Sequence, residues 1–455
     1  MAESQAGAGS LGARRARWAG LALAVVVGSA ALAGCSSGSD DTSGPTTSFL
    51  GDNPAAGPFY QPPDPLPDGD PGDLIRSEPL DGAPDGSRAW RILYLSTGLD
   101  DEPIAVSGMV FAPDDASSSS GSTTTAASGA TTTTGSDATT TTASSGGGDG
   151  RDRPVVAWAH PTTGVADTCA PSVLSDGPSL VAGLDAFLDA GFVVAATDYQ
   201  GLGTPGLHPY LIGESEGRGT LDAVRAARQI DEAHAGSTVF TWGHSQGGQA
   251  SLFAGQMAAD YAPELELAGV AAAAPAGELA EVFDLDENTV DGIALGGWAM
   301  NAFYQVYKDD NPDMDIDQMV TSAGQDALPR LERLCDVIPR QYARIERIAT
   351  PLIGGFYATD DPASVAPWGD LLTENSPGGD PAGAPVFLAQ DSADEVVPER
   401  STNRLVHHLC RQGDTVDYKV YPGLSHTVIG YESAPDALAW MQSILAGDTP
   451  PDTCP

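Results

Sequence analysis

A serine at position 245 stands where its hydroxyl can be made into a nucleophile. Residues 238–248 read Thr-Val-Phe-Thr-Trp-Gly-His-Ser-Gln-Gly-Gly, an apolar, β-prone run that delivers Gly243-His244-Ser245-Gln246-Gly247 straight into a helix-compatible stretch. A serine on so sharp a strand-to-helix turn has a strained backbone and an exposed hydroxyl, and glycines two before and two after it leave room for the neighbouring elements. Because that hydroxyl is a weak nucleophile at neutral pH, it needs a histidine to take its proton and an acid to fix the histidine's tautomer. The expected base is His426, in Tyr421-Pro422-Gly423-Leu424-Ser425-His426, which follows the last strand candidate and precedes the last helix candidate. His407 and His408 fall inside a helix candidate, His234 in a polar stretch, and His244 beside the nucleophile, pointing away from it. The expected acid is Asp394, in the loop Asp391-Ser392-Ala393-Asp394-Glu395 just past a strand candidate; Asp391 and Glu395 are its alternatives. Charge developing on a carbonyl oxygen requires two backbone N–H donors. Gln246 is expected to supply one and the loop His160-Pro161-Thr162-Thr163-Gly164 the other, from Thr162 or else Thr163, with His160 ordering the loop. Such a set performs acyl transfer through a serine ester and requires neither cofactor nor metal.

The elements that must position these residues alternate as in an open α/β sheet. Strand candidates are 90–96, 104–111, 155–160, 192–199, 239–243, 267–274, 385–390 and 416–421, the middle ones nearly continuous in apolar residues, as strands covered on both faces should be. Helix candidates fall between them at 180–190, 219–235, 249–261, 400–409 and 434–446. The alternation breaks over 275–350, a helix-rich excursion expected to form a cap. Within it the apolar run Ile293–Tyr307, with Trp298, Met300, Phe303 and Tyr304, either lines an acyl-chain tunnel or packs as cap core. Residues 116–148, almost wholly Ser, Thr, Gly and Ala, are expected to be a disordered loop insertion, having too little apolar surface to offset the cost of ordering.

Four segments in order carry a resemblance. Pro67-x-Gly69-x-Pro71-Gly72-Asp73-Leu74-Ile75-Arg76, Ala166-Asp167-Thr168-Cys169-Ala170-Pro171-Ser172, Thr197-Asp198-Tyr199-Gln200-Gly201-Leu202-Gly203 and Gly243-His244-Ser245-Gln246-Gly247-Gly248 are similar to the secretory lipase family of actinobacteria and fungi. The resemblance covers about residues 58–447. It implies an α/β-hydrolase fold, with a mostly parallel central sheet, helices on both faces and a helical cap inserted between strands six and seven. It also implies hydrolysis of carboxylic esters, including triacylglycerols in some members, with the nucleophile, acid and base falling on Ser245, Asp394 and His426. Pro161 and Asp391 depart from the glycines usual at their places.

The chain's beginning reads as an address. Arg14, Arg15 and Arg17 precede an apolar run, 21–33, that is short for a membrane span, and Leu32-Ala33-Gly34-Cys35 resembles a bacterial lipobox. The expected organisation is a leader over 1–34, a lipidated Cys35 with a spacer to 57, hydrolase parts over 58–274 and 351–455, and the cap between them. The partners expected are a small-molecule or lipid ester and the membrane that holds the anchor, for an exported monomer. A net charge of −41 leaves no basic patch for phosphates and excludes a general nucleic-acid role. With Cys35 set aside, Cys169, Cys335, Cys410 and Cys454 are an even set in an oxidising compartment and should form two disulfides. Pairing Cys169 with Cys335 and Cys410 with Cys454 would tie the cap to the catalytic domain and the C-terminal tail to a helix, but chain order leaves three connectivities open. An acyltransferase or peptidase could share the same triad. A non-catalytic binding lipoprotein on this scaffold would have no need of all three residues.

Overall fold

Strands 155–159 and 193–197 contain no charged residue, and their side chains alternate between two buried faces. In the computed structural model, which describes residues 56–114, 153–286 and 289–455, these strands form the centre of a nine-stranded sheet. The expected leader, Cys35, nearly all of the spacer and the tract 116–148 lie outside the described residues. The strands are β1 (Leu74–Pro79), β2 (Ser87–Thr97), β3 (Pro103–Pro113), β4 (Arg153–Ala159), β5 (Val193–Thr197), β6 (Ala235–His244), β7 (Glu266–Ala273), β8 (Val386–Asp391) and β9 (Val416–Tyr421). They lie in the order β1-β2-β3-β5-β4-β6-β7-β8-β9. The run from β5 to β9 is parallel, and β1, β2 and β3 join antiparallel at one edge.

The alternation along the strands assigns each face its helices. Val155, Ala157, Val193, Ala195 and Val239 pack with Leu221 and Val224 of α2 (Gly213–Ala227) and Ala254 and Ala258 of α3 (Gln246–Tyr261). The opposite side chains, Val156, Trp158, Val194, Phe240 and Trp242, meet Phe187 and Leu188 of α1 (Leu184–Asp189) and Ala437, Trp440 and Met441 of α10 (His426–Leu445). At about 25 cal/mol per Å² of apolar area, two such faces are the main stabilising term of the domain.

Between β7 and β8 the chain leaves the sheet through α4 (Leu279–Asp286), α5 (Val290–Tyr307), α6 (Ser322–Leu331), α7 (Pro339–Ala349) and α8 (Trp368–Glu374). This layer has its own core, which includes Ile293, Trp298, Met300, Phe303, Leu331, Ile345, Phe356, Trp368 and Leu372. Two expectations differ from it. The excursion does not end at 350: the stretch after it is rich in Gly, Pro and Asp and reads as a returning loop, yet Phe356, Trp368 and Leu372 insert into the helical core. It also follows the seventh strand of this chain and not the sixth, because the half-buried edge strand β1, which carries Arg76, Ser77 and Glu78, lacks the apolar run by which the others were recognised.

Two disulfides close the domain, Cys169–Cys335 and Cys410–Cys454. The first joins the segment after β4 to the turn between α6 and α7, and the second ties the C-terminal tail to α9 (Glu399–Gln412).

Candidate active site

Strand β6 ends at His244 and α3 begins at Gln246, so Ser245 alone makes the turn, with φ 59° and ψ −119°. A non-glycine residue held in this region is strained, and the strain keeps its side chain clear of both elements. The flanking glycines are required by close approach. A Cβ on Gly243 would lie 1.9 Å from the Gly247 carbonyl oxygen, and one on Gly247 would lie 1.9 Å from that of Ala159.

The structure brings the three expected residues into one chain of hydrogen bonds. Ser245 Oγ lies 2.8 Å from His426 Nε2, and His426 Nδ1 lies 2.8 Å from Asp394 Oδ2. His426 is the first residue of α10, not a loop residue ahead of the helix; Pro435 inside α10 is what made the sequence read as a later start. Asp394 is buried, which by itself raises a carboxyl pKa. The His426 ring and the N–H groups of Val396 and Val397, donated to Oδ1 at 2.9 and 2.8 Å, outweigh that burial and hold the group below the ordinary carboxylate range. It is therefore an anion able to fix the Nδ1–H tautomer of His426.

Asp391, the alternative acid, faces elsewhere. Its Oδ1 accepts the Ala393 N–H and its Oδ2 the Leu424 N–H, so it clamps the acid loop to the loop that carries His426. Gln390 supports the same loop, donating to Asp394 Oδ2 at 3.2 Å and to the Val397 carbonyl at 2.9 Å. Glu395 makes no contact with His426 among the described residues. His244 was expected to point away from the nucleophile; its Nε2–H donates to the His426 carbonyl at 2.8 Å, fastening the start of α10. Burial, with the neighbouring His426 charge, pushes its pKa down to about 3, so it is neutral, with its one N–H on Nε2.

Gln246 and Thr162 flank the serine. Neither backbone N–H has a partner among the described residues, and Thr162 lines the cavity that opens over Ser245. Thr163 is fully buried and does not line the cavity. The loop is built from behind. His160, neutral because burial lowers its pKa to about 4, contacts the Pro161 and Asp198 carbonyls, while Thr162 Oγ1 meets the Tyr210 hydroxyl at 2.8 Å. Gly164, at φ 116°, lies so near the Cys169–Cys335 bridge that a Cβ would be 2.7 Å from Cys169 Sγ. The Gln246 side chain turns inward, its Nε2 donating to Glu216 Oε1 at 2.7 Å and lying 3.3 Å from His208 Nε2. Glu216 is a residue that sequence reasoning missed.

The cavity has a volume of about 310 Å³ and lies between the sheet's C-terminal edge and the helical layer. Its walls include Leu180, Ala294, Leu295, Val337, Ile345 and Val396, with Ser245 and His426 at its floor. Of the apolar run Ile293–Tyr307 only Ala294 and Leu295 reach it; Trp298, Met300 and Phe303 are buried in the helical core and Tyr304 packs against that core, so this stripe is packing. Among the described residues no group of His, Cys, Asp or Glu is arranged to hold a metal ion.

A mostly parallel sheet covered on both faces, with a serine elbow after a central strand and its acid and histidine partners after later strands, defines an α/β-hydrolase. The secretory lipase family matches residues 180–453, and the chain belongs to this family of hydrolases. It is 28% identical over 289 residues to secreted triacylglycerol lipase LIP4 of Malassezia furfur, matching 60% of this chain and 52% of that one, so it spans about half that relative's length. It is 25% identical over 419 residues to secreted triacylglycerol lipase LIP7 of Malassezia globosa, over 87% of this chain and 80% of the relative. In structure it is similar to Candida antarctica lipase A, with a TM-score of 0.66 and 18% identity over 89% and 88% of the two chains.

Proposed function

We propose that this protein is an exported serine carboxylic-ester hydrolase that works through an acyl-enzyme on Ser245. The observation that carries the reading is the Ser245–His426–Asp394 hydrogen-bond chain at the floor of a largely apolar cavity. Ser245 Oγ attacks the ester carbonyl carbon as His426 Nε2 takes the hydroxyl proton, and Asp394 stabilises the resulting imidazolium. The N–H groups of Gln246 and Thr162 receive the oxyanion. Collapse of this intermediate breaks the ester C–O bond, and the departing alkoxide takes the proton from His426. Water then attacks the acyl carbon while giving its proton to His426; release of the acid returns that proton to Ser245 Oγ.

The relatives are named as lipases of triacylglycerols, which supports an ester of a fatty acid, and a cavity of about 310 Å³ suits a short or medium acyl chain. The leader and Cys35 support export and a lipid anchor, and the two disulfides suit an oxidising compartment. The test is a panel of p-nitrophenyl esters with fluorophosphonate labelling. Turnover and labelling are expected for the native protein. In Ser245→Ala labelling should be absent and kcat should fall by about 10⁶-fold. Labelling or turnover retained in that variant refutes the assignment. For the anchor, Cys35→Ala should release the protein from the membrane fraction.

A further inference from the structure

The net charge of −41 averages over a surface that is not uniform. Five of the chain's 21 Lys and Arg residues fall between positions 330 and 347: Arg330 in the last turn of α6, Arg333 in the turn after it, and Arg340, Arg344 and Arg347 on α7. All five are exposed. The spacing 340, 344, 347 aligns three of them in one stripe along the helix. The opposite side of α7 is committed, since Tyr342 and Ile345 line the cavity over Ser245 and Ile345 and Ala349 belong to the core of the helical layer. The expectation from net charge that no basic patch exists therefore fails on the outer face of the active-site roof.

In so acidic a protein an exposed arginine has many carboxylates to meet, and on α9 Arg400 and Arg404 share Glu281, at 2.6 and 3.2 Å. Arg330, Arg333, Arg344 and Arg347 form no salt bridge among the described residues, and Arg347 Nε donates only to the Ala343 carbonyl of its own helix. Of the acids in the same segment, Glu332 accepts the Asn301 amide and Asp336 lines the cavity, which leaves Glu346 as the exposed one. Just past α7, Ile353 is 45% exposed and adds an apolar residue at that end. At the other end lies a second cavity of about 130 Å³, which shares Leu180 and Val337 with the cavity over Ser245 and takes in Pro339, the exposed first residue of α7. Apolar surface thus leads from the foot of the stripe toward the site. Resting on the ester-hydrolase reading for its choice of partner, we propose that this arginine face docks on an anionic lipid interface and holds it against the roof of the active site.

Guanidinium groups pair with phosphate oxygens in a bidentate fork. Carboxylates on other faces lie beyond the roughly 8 Å over which charges act at physiological salt, so they turn the molecule without cancelling the contact. An acidic protein would answer the same charge, but the stripe lies on the helix that roofs an ester-hydrolysing site, and a lipid interface is where fatty esters reside. Because the apolar side of α7 is taken by the cavity and core, the helix does not insert, and binding is electrostatic.

The test is co-sedimentation of the full chain carrying Cys35→Ala, so that no acyl anchor contributes, with vesicles of phosphatidylcholine alone or of equal parts phosphatidylcholine and phosphatidylglycerol. The protein should prefer the mixed vesicles, and the preference should fade with added salt. Replacing Arg333, Arg344 and Arg347 together by Gln should weaken binding to the mixed vesicles by about a hundredfold, at about 1 kcal/mol for each arginine near an anionic surface. The same three changed to Lys should retain most of it, and Arg228→Gln, an exposed arginine on another helix, should change nothing. Equal binding to both vesicles overturns the proposal even if no variant folds, and so does an undiminished preference in the folded Gln variant, which keeps Arg14, Arg15 and Arg17. Binding to soluble polyglutamate with no preference among vesicles would mark a site for an acidic protein and also overturns it. Vesicle binding is read without catalysis, so it holds or fails separately from the hydrolase reading, which turnover of p-nitrophenyl acetate tests.

Discussion

Glu216 offers a sharp test of how the oxyanion side of the site is held. Its side chain is fully buried in the first turn of α2; Oε1 accepts the Leu211 N–H at 2.9 Å and a Gln246 Nε2–H at 2.7 Å, and Oε2 has no partner among the described residues. Burial raises its pKa from 4.5 to about 8, against the lowering influence of those two bonds. Between these values the native protein keeps a proton that the unfolded chain has released. The native state binds more protons than the unfolded one, so stability falls as pH rises from 4.5 to 8 and stays reduced above that. A shift of about 3.5 units at 1.36 kcal/mol each gives on the order of 5 kcal/mol. Glu216→Gln keeps an oxygen for both bonds and cannot ionise. Its stability should match the native protein's near pH 4.5 and exceed it increasingly toward pH 8.5, by roughly 5 °C or more in Tm at ~1 °C per kcal/mol for a domain of this size. Scanning calorimetry of both proteins at pH 4.5, 6.5 and 8.5 measures the divergence. Asp198 and Asp336, which burial raises to about 6 and about 7, contribute slopes of the same sign, but they are present in both proteins and cancel in the difference. Parallel curves over that range would show that Glu216 is not held neutral.

The remaining expectations concern the acid, the bridge and the cavity roof. Asp394→Asn should lower kcat by about 10⁴-fold through loss of tautomer control, whereas Asp391→Asn, which breaks one end of a loop clamp, should cost far less; steady-state kinetics in the opposite order would make Asp391 the acid. Replacing Cys169 and Cys335 together by Ala removes a link between residues 166 apart in sequence and should cost about 3–5 kcal/mol in a urea titration. Because Gly164 rests against that bridge, kcat should fall as well, and unchanged kcat in the folded variant would show that the His160 and Thr162–Tyr210 contacts fix the loop without the bridge. Since the helical layer roofs the cavity, activity per molecule on tributyrin should rise as the ester passes its solubility limit; a smooth saturation curve through that limit would mean that the roof does not move.

What the sequence disclosed, and what it hid, follows from the reach of each signal. Ser245 was legible because the elbow is a backbone device whose glycines and strand-to-helix transition are adjacent in the chain. His426 was legible through its place after the last strand. Asp394 and Asp391 are three residues apart in one polar loop and differ only in the direction of their side chains, which no local pattern encodes. Glu216 was missed because Gly213-Glu214-Ser215-Glu216-Gly217-Arg218-Gly219 has the composition of an exposed loop; its helix is stabilised by packing against α3 and not by propensity. The run Ile293–Tyr307 was seen as apolar and helical, but a period of 3.6 residues cannot say whether an apolar face meets a core or a cavity, and here it meets chiefly a core.

Asp391, His244 and Glu216 share a task. A triad assembled from three separate strand ends holds its distances only if the intervening loops cannot drift, since about 1 Å of misplacement can cost on the order of a hundredfold in rate. Each joint here is closed by a buried polar side chain from outside the triad. Asp391 bonds the acid loop to Leu424, two residues before His426. His244 bonds the carbonyl of His426 itself from the residue beside the nucleophile. Glu216 holds the side chain of Gln246, the residue whose N–H stands next to Ser245. Burial keeps His244 and Glu216 uncharged at neutral pH, so they position without placing a further full charge beside the imidazolium and oxyanion that form during the reaction. The two carboxyl groups that line the cavity, Asp291 and Asp336, belong to the helical layer that faces the substrate. Rate therefore rests on the sheet and the joints that hold its loops, which is why Glu216→Gln should leave the site's geometry in place while changing how stability depends on pH.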